Sequence, residues 1–259
     1  MSKYFTTTVL PDMGSDGSNN VTFTQGDILF DWHAFYIPRG ANKLLSITMI
    51  AQGYNGVNQN SGGTLDFQLL FAKDFNGVAP PTLGVNNGIF NGIGHTNHII
   101  GMHIFDASVQ GDKWDAFPFT IVHSDTNHGY AGANLWQNAP IILQGDDISD
   151  HRKSGYDRVY VAGACVTGST GLNFGTGVLL DGALATPSST STLTVDGTDC
   201  TKVFSVGDVI VAQDAAVVGT IKSLTFGSIV LEEAHPEVLA DNDELCFRSP
   251  LKFIMAFER

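Results

Sequence analysis

The chain has little charge, and positive charge is the scarcer kind. Of its 259 residues, 13 are Lys or Arg and 26 are Asp or Glu, so the formal net charge is −13. Charged residues make up 15% of the chain, against roughly 25% in typical soluble domains. Nucleic acids and anionic membrane surfaces are bound through clustered Lys and Arg. We therefore expect neither a nucleic acid nor a membrane as a partner.

The sequence also lacks a run of apolar residues long enough to cross a membrane. Its first residues, MSKYFTTTVLPDMG, have neither the apolar core nor the small-residue cleavage site of a signal peptide. We expect synthesis and folding in a cytosol. The three cysteines, Cys165, Cys200 and Cys246, form no CxxC motif. In a reducing compartment free, buried thiols are expected, although Cys200 and Cys246 lie in one region and could approach each other.

Short apolar runs separated by turn residues fill the rest of the chain. They include Ile28–Phe30, Ala34–Ile37, Leu44–Ile50, Leu65–Ala72 and Val159–Val166. No stretch has the periodicity of a long amphipathic helix, and turns recur every 8–12 residues or so, which is typical of sandwiches and barrels. We predict an all-β fold, a jelly roll or β-sandwich, in which Leu44–Ile50 pairs with Leu65–Ala72.

A Pro/Ser/Thr-rich connector near 182–190 divides the chain. We predict a main domain formed by residues 1–182 and 250–259, with Leu251–Phe257 returning as one of its strands. Residues 190–248 would form a small inserted β-barrel module. Residues 181–249 contain eleven acidic and three basic residues, so much of the negative charge lies in this part.

Histidines are the strongest candidates for chemistry. His95, His98 and His103 lie close to Asp106, and a His series of this kind can bind a metal if the backbone curls. On a strand, however, His98 and His103 would face opposite sides. The HxH-plus-carboxylate spacing of cupin-type sites is also absent. The favoured interpretation is surface or interface histidines on a Gly-rich loop.

Two other clusters are candidates for catalysis or calcium binding. His123, Asp125 and His128 have no nucleophile on a GxSxG turn, so a hydrolase triad is not supported. The run at 145–150, which contains Asp146, Asp147 and Asp150, does not have EF-hand spacing. We therefore expect no catalytic residue, metal or cofactor, and predict that the protein is not an enzyme.

Aromatic residues offer a carbohydrate-binding alternative, because exposed Trp and Tyr stack on sugars. The candidates are Trp32, Tyr36, Trp114, Phe117, Phe119, Tyr130 and Trp136. Trp32 and Tyr36 lie in strand-like runs, where core packing is favoured. Trp114 and Trp136 lie near loops and are better candidates for a ligand or subunit contact.

Two segments resemble parts of tailed-bacteriophage virion proteins. In Ser205–Leu245 the series GDVI, VGTI, IVLEE and DNDEL is similar to small β-modules of those proteins. The segment FYIPRGANKLLSITM resembles the strand–PRGA–strand openings of phage β-sandwich structural proteins. The resemblance implies a capsid decoration (cement) protein on the virion surface. Its partners would be the major capsid protein and further copies of itself, plausibly as a trimer.

The resemblance to virion proteins is compatible with two functions. The first is bridging of capsid subunits to stabilise the head; the alternative is a tail or head-fibre module that binds host surface glycan. For the interface we predict Trp114, Trp136 and the N-terminal Thr-rich segment, which comprises Lys3, Tyr4, Phe5, Thr6, Thr7 and Thr8. That segment has no adjacent hairpin partner, so it can add a strand to a neighbour or serve as an ordinary edge strand.

Overall fold

The computed structural model describes residues 3–13, 23–52, 67–90, 94–105, 119–125, 141–147, 155–165, 174, 177–184, 191–212 and 216–259. Its regular structure is almost entirely antiparallel β-sheet, which confirms the predicted all-β class. The strands of the first part are β1 (Tyr4–Val9), β2 (Ile28–Pro38), β3 (Asn42–Gln52), β4 (Phe67–Lys73), β5 (Ile99–Phe105), β6 (Phe119–Asp125), β7 (Ile141–Leu143) and β8 (Tyr156–Cys165). Those of the second part are β9 (Val178–Leu179), β10 (Thr192–Thr194), β11 (Val209–Ala212), β12 (Val217–Thr225), β13 (Ser228–Leu231), β14 (Glu244–Phe247) and β15 (Leu251–Glu258), with a one-turn helix α1 (Cys200–Val203) before β11.

Two sheets form the larger unit. One has the order β1-β15-β3-β6, with β7 also paired to β3, and the other has the order β2-β8-β4-β5. The pairs β1–β15, β2–β8, β3–β6 and β4–β5 are nested within one another along the chain. A long antiparallel hairpin wrapped in this way is a jelly roll, so the topology decides between the two predicted forms of the sandwich.

The alternation of residues along β15 shows why these strands form. Leu251, Phe253, Met255 and Phe257 are fully buried, whereas the residues between them face the other side of the sheet. They pack in one core with buried residues of the opposite sheet, such as Phe71. Burying an aliphatic or aromatic side chain of this size stabilises a fold by about 1.5–3 kcal/mol. The jelly roll is therefore held by the inward faces of its two sheets.

The predicted pairing of Leu65–Ala72 with Leu44–Ile50 is wrong. The structure pairs β4 with β5 and β8, in the sheet opposite β3. In a jelly roll the chain crosses from one sheet to the other between these strands, so neighbours in sequence are not neighbours in a sheet. The run Val159–Val166 lies largely in β8, which is an inner strand between β2 and β4, as predicted.

The smaller unit is a barrel with its own core. Its strands follow the order β10-β13-β12-β11-β14-β9, and a bridge between Leu180 and Val195 brings the two ends of this sheet together. The core comprises Val178, Leu180, Leu193, Val195, Cys200, Val203, Phe204, Ile210, Ala212, Val218, Ile221, Ile229, Leu231, Leu239 and Leu245. Asp199 caps α1 by accepting a hydrogen bond from the Thr201 N–H.

The barrel is inserted in the connection between β8 and β15. Because β9 pairs with β14, residues 178–179 belong to the barrel, although the predicted boundary at 182 placed them in the main domain. Side chains tie the two units together: Gln52 Nε2 donates to the Val203 carbonyl at 2.9 Å, and Arg248 forms an ion pair with Asp12. The barrel thus lies at the end of the β1-β15-β3 sheet.

Candidate interaction surface

The outer face of the β1-β15-β3 sheet presents a continuous row of uncharged side chains. We call it the open face; it comprises Tyr4, Thr6, Thr8, Ser46, Thr48, Ile254 and Ala256. Cross-strand register places Thr8 and Thr48 on either side of Ile254, and Thr6 and Ser46 on either side of Ala256. The residues from β1 are exposed, and those from β3 and β15 are partly exposed. Threonine and β-branched neighbours of this kind suit a flat, pleated surface.

Along β1, β15 and β3, charged side chains lie at the two ends of the open face, and beyond β3 the register partner of Ser46 is Asp125 of β6. At one end Lys3 Nζ lies 2.7 Å from a Glu258 carboxylate oxygen, and Lys43 Nζ lies 3.8 Å from the other oxygen. The Lys3–Glu258 hydrogen bond raises the pKa of Lys3 and lowers the pKa of Glu258. Both groups stay charged near neutral pH and offset each other. The middle of the face is left with neutral side chains.

A cleft of about 390 Å³ lies at the other end, where the barrel meets the sheet. Its walls mix apolar residues, such as Leu10 and Ile50, with charged ones, Lys252, Arg248 and Asp208. The Asp208 carboxylate accepts a hydrogen bond from the Ser205 N–H at 2.8 Å, and Arg248 pairs with Asp12. Two of the charged groups of the cleft, Asp208 and Arg248, thus have partners within the chain. The cleft lies at the end of the open face that is next to the barrel.

The opposite sheet is covered in part by the chain itself. The segment 75–90, which we call the strap, packs on the outside of the β2-β8-β4-β5 sheet. Leu83 is buried in one cluster with Ile28 and Ala162. Asp31 accepts hydrogen bonds from the Leu83 N–H at 2.9 Å and from the Thr82 hydroxyl at 2.6 Å. The two faces of the sandwich therefore differ: the strap covers the β2 and β8 part of one, and the other is the open face.

The expectation that His95, His98 and His103 are surface or interface histidines is wrong. All three are buried, with exposed fractions of 1%, 8% and 5%. His95 packs between the rings of Trp32 and Phe90, and burial lowers its pKa. Their partners include residues distant in sequence, such as the Lys73 carbonyl 3.0 Å from His98 Nδ1, so a local pattern does not show this burial. Within the described ranges no group of three or more His, Cys, Asp or Glu side chains is arranged to hold a metal ion.

A buried polar cluster anchors the start of the strap. Asp74 is fully buried and accepts hydrogen bonds from Arg158 at 2.9 and 3.0 Å and from the Tyr160 hydroxyl at 2.8 Å. Burial and the hydrogen bond to Asp74 raise the pKa of Tyr160. Tyr160 thus stays protonated and donates to the Asp74 carboxylate. The cluster therefore has a structural role at the end of β4.

The remaining sequence candidates fall in three groups. Asp146 accepts a hydrogen bond from the Gly77 N–H at 2.9 Å, so it has a structural role, and Trp32 donates to the Pro81 carbonyl. Phe119, His123 and Asp125 lie on β6 opposite Gln52, Thr48 and Ser46, and Tyr36 and Asp147 also lie among the described residues. Asp106, Trp114, Phe117, His128, Tyr130, Trp136 and Asp150 lie outside the described residues.

The cysteines are free and buried, as expected. Burial raises the pKa of Cys200 to about 11 and that of Cys246 further still, so neither thiol is activated as a nucleophile. None of the described helices is long and apolar enough to span a membrane.

The N-terminal segment becomes the edge strand β1. Tyr4, Thr6 and Thr8 lie on the open face, whereas Phe5 turns inward and stacks on Phe257 with ring centroids 5.0 Å apart. The Thr-rich composition of the segment predicted this strand. The residues of β3 and β15 that complete the open face were not predicted, because no local pattern shows which distant strands lie side by side.

No protein-family model, curated protein or solved structure matches the chain.

Proposed function

We propose that this chain is a structural protein of a virion, a capsid decoration protein of a tailed bacteriophage. In this role the open face binds the major capsid protein, and each copy bridges neighbouring capsid subunits. The observation that carries the proposal is the difference between the two sheets. One is covered over β2 and β8 by the strap, and the other presents uncharged side chains across three strands.

Two further features support this function. The jelly roll is an architecture common among viral capsid domains, although lectins and cupins share it. The resemblance of the barrel segment to phage β-modules supports the same assignment. A barrel region with an excess of acidic residues would then point to solvent and keep decorated particles apart by repulsion. The Asp74 and histidine clusters already have structural roles, which favours a binding protein over an enzyme.

Purified virions provide the first test. We expect the chain in them at many copies per particle, and on the outer surface of the head in an image reconstruction. Absence of the chain from virions, or a position only inside the head, would end the proposal. Density at the tail or on fibres, with glycan binding, would instead support the host-recognition alternative. That alternative depends on Trp114 and Trp136, outside the described residues.

A variant on the open face tests the proposed surface. Ile254→Lys places a cation in the middle of the neutral row, and burying an unpaired charge in an interface is costly. We expect at least about a tenfold loss of affinity for undecorated capsids in a co-sedimentation assay. Val238→Lys is the matched control, because Val238 is an exposed apolar residue of the barrel. Equal binding by both variants would contradict a role for the open face.

A further inference from the structure

The outer edge of β1 has backbone groups that are not hydrogen-bonded within the sheet. The Arg259 N–H donates to the Lys3 carbonyl at 2.9 Å, which fixes the phase of the β1–β15 ladder. Hydrogen-bonded pairs alternate along antiparallel strands, so Phe5, Thr7 and Val9 bond to β15. The N–H and C=O groups of the residues between them, Thr6 among them, point away from the sheet. For Thr6 and Thr8, no described residue supplies a partner on that side.

Within β1 itself, the sequence devices that usually protect an edge strand are absent. Natural edge strands avoid unwanted pairing through charges, proline, bulges or a covering segment. Between Tyr4 and Val9 there is no charged residue and no proline, and the register with β15 is continuous. Stacking of Phe5 on Phe257 holds the strand flat against its sheet. The edge is therefore ready to accept another strand.

We propose that β1 pairs with β1 of a second copy, antiparallel, with Thr6 opposite Thr6 of the partner subunit. This register brings Tyr4 opposite Thr8 of the partner subunit. The contact is the same on both copies, so it closes as a twofold dimer. The sheets of the two copies become one continuous sheet, and their open faces join.

A second copy fits this edge because β1 is neutral and is complementary to itself in an antiparallel register. Two chains of net charge −13 repel each other over most of their surfaces. β1 itself is neutral, and the acidic residue beside its start, Glu258, is held by Lys3 and Lys43. Thr–Thr pairs across strands are favourable, and this register places no like charges of β1 opposite each other. The contact thus lies where self-repulsion is weak.

The inference goes beyond the capsid role and does not require it. A purified chain would dimerise in solution whether or not a capsid is present. It also differs from the trimer that the phage resemblance implied, because a β1–β1 contact joins two copies and cannot continue to a third. A dimer that fails to bind capsids would refute the proposed function alone, and a monomer that binds them would refute the dimer alone.

Sedimentation equilibrium and light scattering test the dimer directly. We expect a mass twice that of the 27.7 kDa chain, with dissociation on dilution. Thr6→Pro removes an outward N–H and leaves the bonds to β15 in place, since proline is tolerated on edge strands. It should weaken the dimer by roughly tenfold or more, because the Thr6 pair exchanges two hydrogen bonds. Thr6→Val keeps the backbone groups and should remain dimeric.

Cysteine variants test the register and decide the matter if the proline variant does not fold. At the twofold axis the two Thr6 Cα atoms would be about 5.5 Å apart, within reach of a disulfide. Thr6→Cys should cross-link under mild oxidation, and Thr8→Cys should not, because the two Thr8 positions lie about 13 Å apart in this register. The native thiols are buried and give little background. A monomeric or trimeric wild type, or cross-linking that is equal in both variants, would overturn the proposal.

Discussion

At the scale of the single residue, His95 shows how burial fixes a protonation state. Its ring lies between Trp32 and Phe90, and its buried Nδ1 has no partner among the described residues. Burial is the main cause of its lowered pKa; His98 lowers it further, and Asp31 opposes the shift. The folded protein therefore favours the neutral imidazole of His95 over the protonated one.

This lowered pKa predicts a loss of stability in acid. The unfolded chain binds a proton at the ordinary histidine pKa of 6.5, and the folded chain binds it only at lower pH. As the pH falls below 6.5, the free energy of unfolding should therefore decrease, until the folded pKa is reached. The slope is at most about 1.4 kcal/mol per pH unit for one proton. Unfolding midpoints in urea, measured from pH 8 to pH 5, would show it.

His95→Phe is the matched variant for this effect. It keeps an aromatic ring and removes the titrating group, so its stability should fall less between pH 7 and pH 5. Burial also lowers the pKa of His33, and His33→Gln should retain the His95 contribution. Parallel curves for wild type and His95→Phe would show that His95 does not control the acid sensitivity.

At the scale of the element, one buried ion pair lies where the strap begins. Asp74→Asn would leave the Arg158 guanidinium, whose side chain is only 14% exposed, opposite a neutral amide. Breaking a buried pair costs about 3–5 kcal/mol, and we expect the lower end because Arg158 keeps some contact with water. Tyr160→Phe removes a single hydrogen bond and should cost about 1 kcal/mol. Hydrogen exchange of residues 78–90 should rise more in Asp74→Asn; equal effects of the two variants would contradict the anchoring role.

Elements with local partners were predicted well from the sequence, and elements with distant partners were not. The barrel strands β12 and β13 follow each other around a turn at Gly227, and both lie within the module predicted at 190–248. β2 was predicted as two runs, Ile28–Phe30 and Ala34–Ile37, but is one strand. The residues that interrupt its apolar pattern, Asp31 and Trp32, bind the strap. The open face forms only where β1, β15 and β3 lie side by side. Their pairing depends on packing between residues that are far apart in the sequence.

At the scale of the whole molecule, the jelly roll and the barrel have separate hydrophobic cores among the described residues. One lies between the sheets of the jelly roll and the other lies inside the barrel. In the described part of the chain, hydrogen bonds join the two units: Gln52 donates to the Val203 carbonyl and Ser249 donates to the Pro11 carbonyl. Because β15 follows the barrel in the chain, the jelly roll is completed only by residues beyond the insertion. The two units are therefore joined through the chain that runs between them and not through a shared core.

Separate cores predict separate unfolding. Ile229 is fully buried in the barrel and Met49 is fully buried in the jelly roll, so truncation of either to alanine should cost about 2–5 kcal/mol. In native-state hydrogen exchange, Ile229→Ala should lower the protection of β11–β13 and leave β3 and β15 unchanged. Met49→Ala should give the reverse pattern. If each variant lowered protection in both units to the same extent, the polar contacts at the junction would be strong enough to couple the two cores, and the barrel would be part of the folding unit that presents the open face.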